Sequence, residues 1–473
     1  MAKKMKKMGV FIFAMMNVAI VLSLRGLPLL AKTGMHMVFF ILFASFLFLI
    51  PSALVSAELA TGWVKDGGIY RWVKEAFGSK LGFTAIWLQW IQNTIWYATV
   101  LAFAAGAISY LFLNPSLSYN KYFIIAIILI VYWGATFINF RGLKAASWFT
   151  TICVIGGTIV PAALIIILGF LWVFLGNPIE FVNTSHGFFP DFKNFENLAF
   201  LAGTVLLFSG IEVNAVHVLD LESPKKSYPK AIFLALAIII ITFLLGSFSV
   251  AASIPAEDIS LTAGIMQGFK DMLHMFKLDW LLPVMGFLVA FGAIGSVTAW
   301  IGGPSKGLLA TAKHGELPPY LQYTNKNNVQ THILWIQGLI VTVLAFVFLV
   351  IPNVNTAYFL LTALTIVLYL IMYILLYLSG IVLRYKQPNV KRPYKIPGGN
   401  FGMWLVAGIG LIAVVFAFIV GFFPPALLEI ESPGIYVSFL IIGTLVFVAA
   451  PIIINHFKKP SWVKKITKKK GNK

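Results

Sequence analysis

"LLFSGIEVNAVHVLDLESP", Leu206–Pro224, decides how this chain is built. It continues an apolar stretch that begins near residue 197, then places Ser209, Gly210 and Glu212 in the middle of it. Glycine inside a helix is about 1 kcal/mol worse than alanine, and a carboxylate away from water is expensive and usually kept for function. An uninterrupted apolar helix accounts for none of the three. A helix broken at Ser209-Gly210 accounts for all of them, provided that the freed backbone faces protein or a water-filled cavity. A second stretch behaves in the same way. In "LSLRGLPLLA", Leu22–Ala31, the sequence Arg25-Gly26-Leu27-Pro28 interrupts an apolar run over 9–31.

Around these two stretches the chain reads as an integral membrane protein. Of its 473 residues 60% are apolar and 11% charged, far from the roughly 25% charged of soluble domains, and the mean hydropathy is +0.91. Apolar runs long enough to cross a hydrocarbon core of about 30 Å as helix are expected at 9–31, 36–61, 81–113, 122–142, 146–175, 197–219, 231–254, 279–303, 332–351, 356–384, 403–424 and 434–455. The segments 64–78 and 305–321 mix charge with aromatics and read as short interfacial helices or loops. MAKKMKKM leads into a full-length span without a small-residue cleavage site, so no removed signal peptide is expected.

The net charge of +19 does not point to nucleic acid, because the basic residues are not gathered into one patch. With twelve spans and a cytoplasmic amino terminus, 29 of the 35 lysines and arginines fall in the tails and the loops on one side. Lys32, Lys121, Lys193, Lys270 and Lys277 fall on the other, and Arg25 stands inside a span. This positive-inside bias places the chain as a multi-pass protein of the inner (cytoplasmic) membrane with both termini cytoplasmic. Membrane lipid is the expected surrounding partner, no nucleic-acid partner is expected, and the oligomeric state stays open. The single cysteine, Cys153, excludes an intrachain disulfide and a cysteine metal cluster. No nucleotide-binding, metalloprotease or hydrolase motif occurs, so no cofactor, no metal and no enzymatic activity are expected.

Spans one to five (9–175) and six to ten (197–384) form two sets of five, and an odd number of crossings inverts the second set relative to the first. Both interruptions fall in the leading span of a set, the arrangement of an inverted-repeat transporter with its site at the breaks. The expected fold is therefore all-α, with twelve transmembrane helices in a five-plus-five inverted repeat and broken helices 1 and 6. Two extra helices follow over 403–455, and basic cytoplasmic tails cover 1–8 and 456–473. Tyr369 lies about 20 Å into its span, too deep for an interfacial belt, and Tyr373 is one turn further on the same face.

Three long motifs then carry a resemblance. "PSALVSAELATGWVKDGGIYRWVKEAFG" (Pro51–Gly78), "FSGIEVNAVHVLDLESPKKSYPKA" (Phe208–Ala231) and "WIGGPSKGLLATA" (Trp300–Ala312) resemble signatures of the amino acid/polyamine/organocation superfamily. "RPYKIPGG" (Arg392–Gly399) and "GFFPP" (Gly421–Pro425) are similar to its bacterial glutamate/γ-aminobutyrate antiporter branch. The resemblance implies a leucine-transporter-type fold and a secondary transporter of amino acids working by alternating access, most simply an antiporter. It implies that the sixth-span acid is Glu212, the tenth-span tyrosine pair Tyr369 and Tyr373, and the eighth-span tryptophan Trp300, with Ser296 one turn before it where these antiporters can carry an acid. Val21-Leu22-Ser23 stands where the superfamily has two glycines.

The expected substrate-binding set is thus Ser23, Arg25, Gly26, Ser209, Gly210, Glu212, Ser296, Trp300, Tyr369 and Tyr373, with Glu212 and His217 as candidates for proton coupling. Arg25 can grip a carboxylate through two parallel hydrogen bonds, either that of an amino acid substrate or that of Glu212 across the paired breaks. Glu58 reads as a helix anchor near the cytoplasmic end of its span. A proton- or sodium-coupled symporter, using Ser296 and Thr298 as oxygen ligands, and a non-transporting amino acid receptor remain open alternatives. The topology is tested with reporters. A tag after Lys473 stays inaccessible from outside intact cells, whereas tags in 180–196 and 255–275 are accessible.

Overall fold

The computed structural model describes residues 9–63, 67–180, 187–193, 198–215, 221–424 and 432–463, without the side chains of 143–148 and 214–215. His217 lies outside the described residues. Among them the chain is helical and has no β-strand. The first apolar stretch forms α1 (Val10–Val21) and α2 (Gly26–Ala31). Next come α3 (His36–Gly62), α4 (Ile69–Phe77), α5 (Ser79–Leu111), α6 (Lys121–Phe140) and α7 (Phe149–Phe174). The sixth stretch is α8 (Ala199–Leu207) and α9 (Ile211–Ala215). The remainder comprises α10 (Pro224–Ser253), α11 (Gly264–Met275), α12 (Asp279–Lys313), α13 (Thr331–Val350), α14 (Val354–Lys386), α15 (Gly399–Val420) and α16 (Pro433–His456).

Ten of these, α3, α5, α6, α7, α10 and α12 to α16, are long and apolar enough to cross a membrane. Helix is the conformation that satisfies backbone groups inside lipid. The ends are set by local chemistry: Asn120 accepts from the Tyr122 and Phe123 amides at the start of α6, and Asn353 caps α14 through Asn355 and Thr356. α5 and α14 are the most buried of the long helices, and α5 packs against both α12 and α14. They form the centre against which the interrupted segments lie.

The first interruption is displaced from its expected position. The chain leaves α1 at Leu22 with φ −71° and ψ 117°, ordinary extended backbone open to any residue, so no glycine is needed there. The break spans Leu22–Arg25, while Gly26 and Pro28 fall in the first turn of α2, where proline is tolerated. Gly26 serves a different need, since a Cβ there would lie 2.7 Å from the Leu207 side chain. Its lack of a side chain lets α2 approach α8.

The second interruption falls at Phe208–Gly210, between α8 and α9. Gly210 has φ +107°, a conformation natural to glycine and strained for other residues. One further expectation is corrected. Residues 305–313 belong to α12 and are not a separate interfacial segment. Pro304 removes one helical hydrogen bond, but Gly307 packs closely on Ile86 of α5 and the helix continues.

Glu58, buried in α3, is an anchor. Its carboxylate takes both Nε and Nη2 of Arg384 (2.6 and 2.7 Å) and the Ile396 amide (2.8 Å), with Arg392 at 3.5 Å. Arg384 also donates to the Ile396 and Gly399 carbonyls, and Arg392 stacks over Trp63. The network pins the connection from α14 to α15 onto the end of α3. Burial and the Glu58 charge push the Tyr394 hydroxyl beside it up to about 12. Removing one partner of a buried pair costs about 3–5 kcal/mol. Glu58→Gln should therefore lower the thermal unfolding midpoint in detergent by several degrees. Asp279→Asn, which removes the charge from the exposed contact with His274, leaves it unchanged.

Candidate functional site

The break before α9 turns Glu212 into the centre of the molecule, where it is 2% exposed. Tyr369 donates to Glu212 Oε1 and Tyr373 to Oε2, each at 2.5 Å, and Gln89 Nε2 donates to Oε1 at 3.0 Å. The Gly210 amide freed by the break donates to the Tyr373 hydroxyl at 2.8 Å. One carboxylate thus gathers α5, α9 and α14, and a tyrosine on α14 satisfies the orphaned backbone of the interruption. The two tyrosine rings lie 4.9 Å apart, as one helical turn requires.

A cavity of about 40 Å³ lies between the two breaks, lined among others by Ser23, Arg25, Asn93, Ser209, Ser296 and Trp300, with Tyr369 in its wall. It has room for a few water molecules. Arg25 is 3% exposed. Its Nη1 donates to Thr99 Oγ1 at 3.1 Å, its guanidinium lies 5.4 Å from the Trp96 ring centre, and the Tyr358 hydroxyl is beside it. Its Nε has no partner, and neither has Asn93 Nδ2. The expected alternative contact with Glu212 is not made: Tyr369, Tyr373 and Gln89 hold that carboxylate, and Arg25 is turned to α5 and α14. Two buried donors without acceptors at one cavity call for an acceptor, and a buried guanidinium calls for an anion.

On the other side of Glu212 is a vestibule of about 550 Å³, reaching from Gln89 and Glu212 past Gly68 and Ile69 to Lys306 and Lys313 on α12. The tail after α16 lies on the same face, with Lys458 on Glu316 (2.7 Å) and Gln322 donating to the Trp462 carbonyl (2.8 Å). The Glu212 cluster therefore partitions a small inner cavity from a wide vestibule. Beyond α2, Lys32 Nζ donates to the carbonyls of Ala256, Glu257 and Ile259, fastening the end of α2 to the segment after α10.

Of the residues singled out in the sequence, Ser23, Arg25, Ser209, Ser296, Trp300 and Tyr369 share the cavity, and Glu212, Tyr373 and Gly210 form the partition. Gly26 is not itself part of the lining and packs on Leu207, which is. Thr298 is not in the lining either, and its hydroxyl donates to the Ile294 carbonyl. Among the described residues no group of His, Cys, Asp and Glu could hold a metal ion. Gln89, Gln92, Asn93 and Trp96 were missed, although three amides at i, i+3 and i+4 in an apolar helix mark a polar stripe.

Known proteins resemble the chain over most of its length. The family described as amino acid permease matches residues 8–447. The chain is 40% identical over 446 residues to an uncharacterized transporter of Legionella pneumophila, covering 94% of this chain and 96% of that one. It is 36% identical over 454 residues to a glutamate/gamma-aminobutyrate antiporter of Lactococcus lactis (95% and 90%). To a probable agmatine/putrescine antiporter of Lactococcus lactis it is 24% identical over 381 residues (79% and 78%). The chain belongs to the amino acid permease family; it is a multi-pass membrane transporter and not an enzyme. Tyr373→Phe leaves both Gly210 N–H and Glu212 Oε2 short of a partner, about 1–3 kcal/mol per buried group. It should cut transport at least fivefold at normal membrane levels. Tyr377→Phe, which touches the Phe48 carbonyl and not Glu212, serves as the control and stays close to wild type.

Proposed function

We propose that this permease exchanges amino acids across the cytoplasmic membrane by alternating access, with glutamate and γ-aminobutyrate as the leading substrate pair. The observation that carries this reading is the placing of one guanidinium and one carboxyl group at the paired breaks. Arg25 stands in the cavity wall without a carboxylate partner, and Glu212 lies behind the wall residue Tyr369, which donates to it. An amino acid has the complementary groups, a carboxylate for Arg25 and an amine for the oxygens of Ser23, Ser209 and the broken helices. The antiporter named among the relatives supplies the substrate pair and the mode of exchange.

In this reading α1–α2 and α8–α9 are the broken first and sixth spans of twelve, and the five-helix sets 9–175 and 197–384 are inverted repeats. Both termini are cytoplasmic and the vestibule opens to the cytoplasm, so the conformation faces inward. Glu212, Tyr369 and Tyr373 act as the inner gate over the substrate, and Arg25 marks its outer edge. Trp300 forms the lid between the breaks, its ring tilted against that of Trp96 with centroids 5.9 Å apart. Glu212 and His217 are the candidates for handling a proton.

The test is uptake of labelled glutamate into proteoliposomes preloaded with a panel of amino acids. Exchange predicts uptake only with a loaded lumen and without need of Na⁺. Steep Na⁺-driven uptake into empty vesicles contradicts it and favours symport. Arg25→Lys keeps the charge and loses the fork, so it should weaken transport strongly. Arg25→Ala should abolish transport of anionic substrates more than of neutral ones, and near-normal affinity for every substrate in Arg25→Ala would reduce the arginine to an interfacial anchor.

A further inference from the structure

Lys306 and Lys313 are seven residues apart on α12, about 10 Å along its axis, and both are exposed and line the vestibule. Gly303, Gly307 and Ala310 share the lining, so the two ammonium groups stand beside open space. Glu212 is the only carboxylate among the described lining residues, and its oxygens are taken by Tyr369, Tyr373 and Gln89. Two further carboxylates are engaged elsewhere, Glu316 with Lys458 and Glu75 with Arg71 and Gln387. Two cations in a cleft with low-dielectric walls focus the field and raise the local concentration of anions.

We propose that Lys306 and Lys313 form a second, low-affinity site for the side-chain carboxylate of an acidic amino acid, which holds the anion in the vestibule next to the Glu212 partition. The inference rests on the exchange reading for its choice of ligand and deepens it. A dicarboxylic amino acid, net negative, is held by the lysine pair, while a zwitterion of net zero charge gains little. The site favours substrate by charge before the inner cavity examines its shape.

The test is independent of transport. In a Cys153→Ala, Ala310→Cys background the introduced thiol lies between the two lysines. Its reaction rates with a negatively charged and a positively charged thiosulfonate are measured in the purified full-length protein, and their ratio reports the local field. Lys306→Gln with Lys313→Gln should lower the anionic-to-cationic ratio about tenfold, while Lys306→Arg with Lys313→Arg keeps it. Millimolar L-glutamate should slow the reaction, γ-aminobutyrate should do so far less, and Lys306→Gln with Lys313→Gln should abolish the glutamate effect. A ratio unchanged by neutralising both lysines, or equal protection by the two amino acids, overturns the proposal. Failure of exchange in proteoliposomes sinks the transport reading and leaves this measurement decisive for the site.

Discussion

The buried carboxylate of Glu212 is the constraint on which the rest of the structure turns. Its desolvation is offset only because three donors on two other helices converge on it, Gln89 on α5 and Tyr369 and Tyr373 on α14. Tyr373 also accepts the Gly210 amide, so the same hydroxyl makes the helix break affordable and closes the partition. Removing or redirecting Glu212 loosens three elements together. An interaction that is satisfied as a unit can also be released as a unit, which is the property required of a gate that alternates between two states.

The other charges fall into two groups that show how satisfaction separates scaffold from site. Glu58 and Arg384 saturate each other and the carbonyls around them, and nothing is left for a ligand. Arg25 has one donor on Thr99 and its Nε unpaired at a cavity. The residual hydrogen-bonding capacity, more than burial itself, marks the second as the place where a carboxylate can bind.

Much of this was legible in the sequence, for reasons that can be named. Lipid demands long apolar helices, so ten of the twelve expected stretches appear as single long helices, and the two that do not are those with a charge beside a helix breaker. Tyr369 and Tyr373 were legible from depth and one-turn spacing. The first break was misplaced because proline fits a first helical turn as well as it ends a helix, and Gly26 turned out to be a packing residue against Leu207. The partners of Arg25 could not be read at all. Thr99, Trp96 and Tyr358 lie on α5 and α14, and periodicity orders residues within a helix without saying which helix faces which.

The central claim, that the Glu212 cluster closes the cavity against the vestibule, is tested most directly by thiol accessibility. A single cysteine introduced as Ser296→Cys, in a Cys153→Ala background, reports the cavity side of the partition to an impermeant reagent applied from the vestibule side. With Glu212 intact the account predicts slow modification, and with Glu212→Ala an increase of at least about tenfold, the factor that follows from losing roughly 1.4 kcal/mol of closure. Equal rates in the two proteins would contradict it and place the barrier elsewhere.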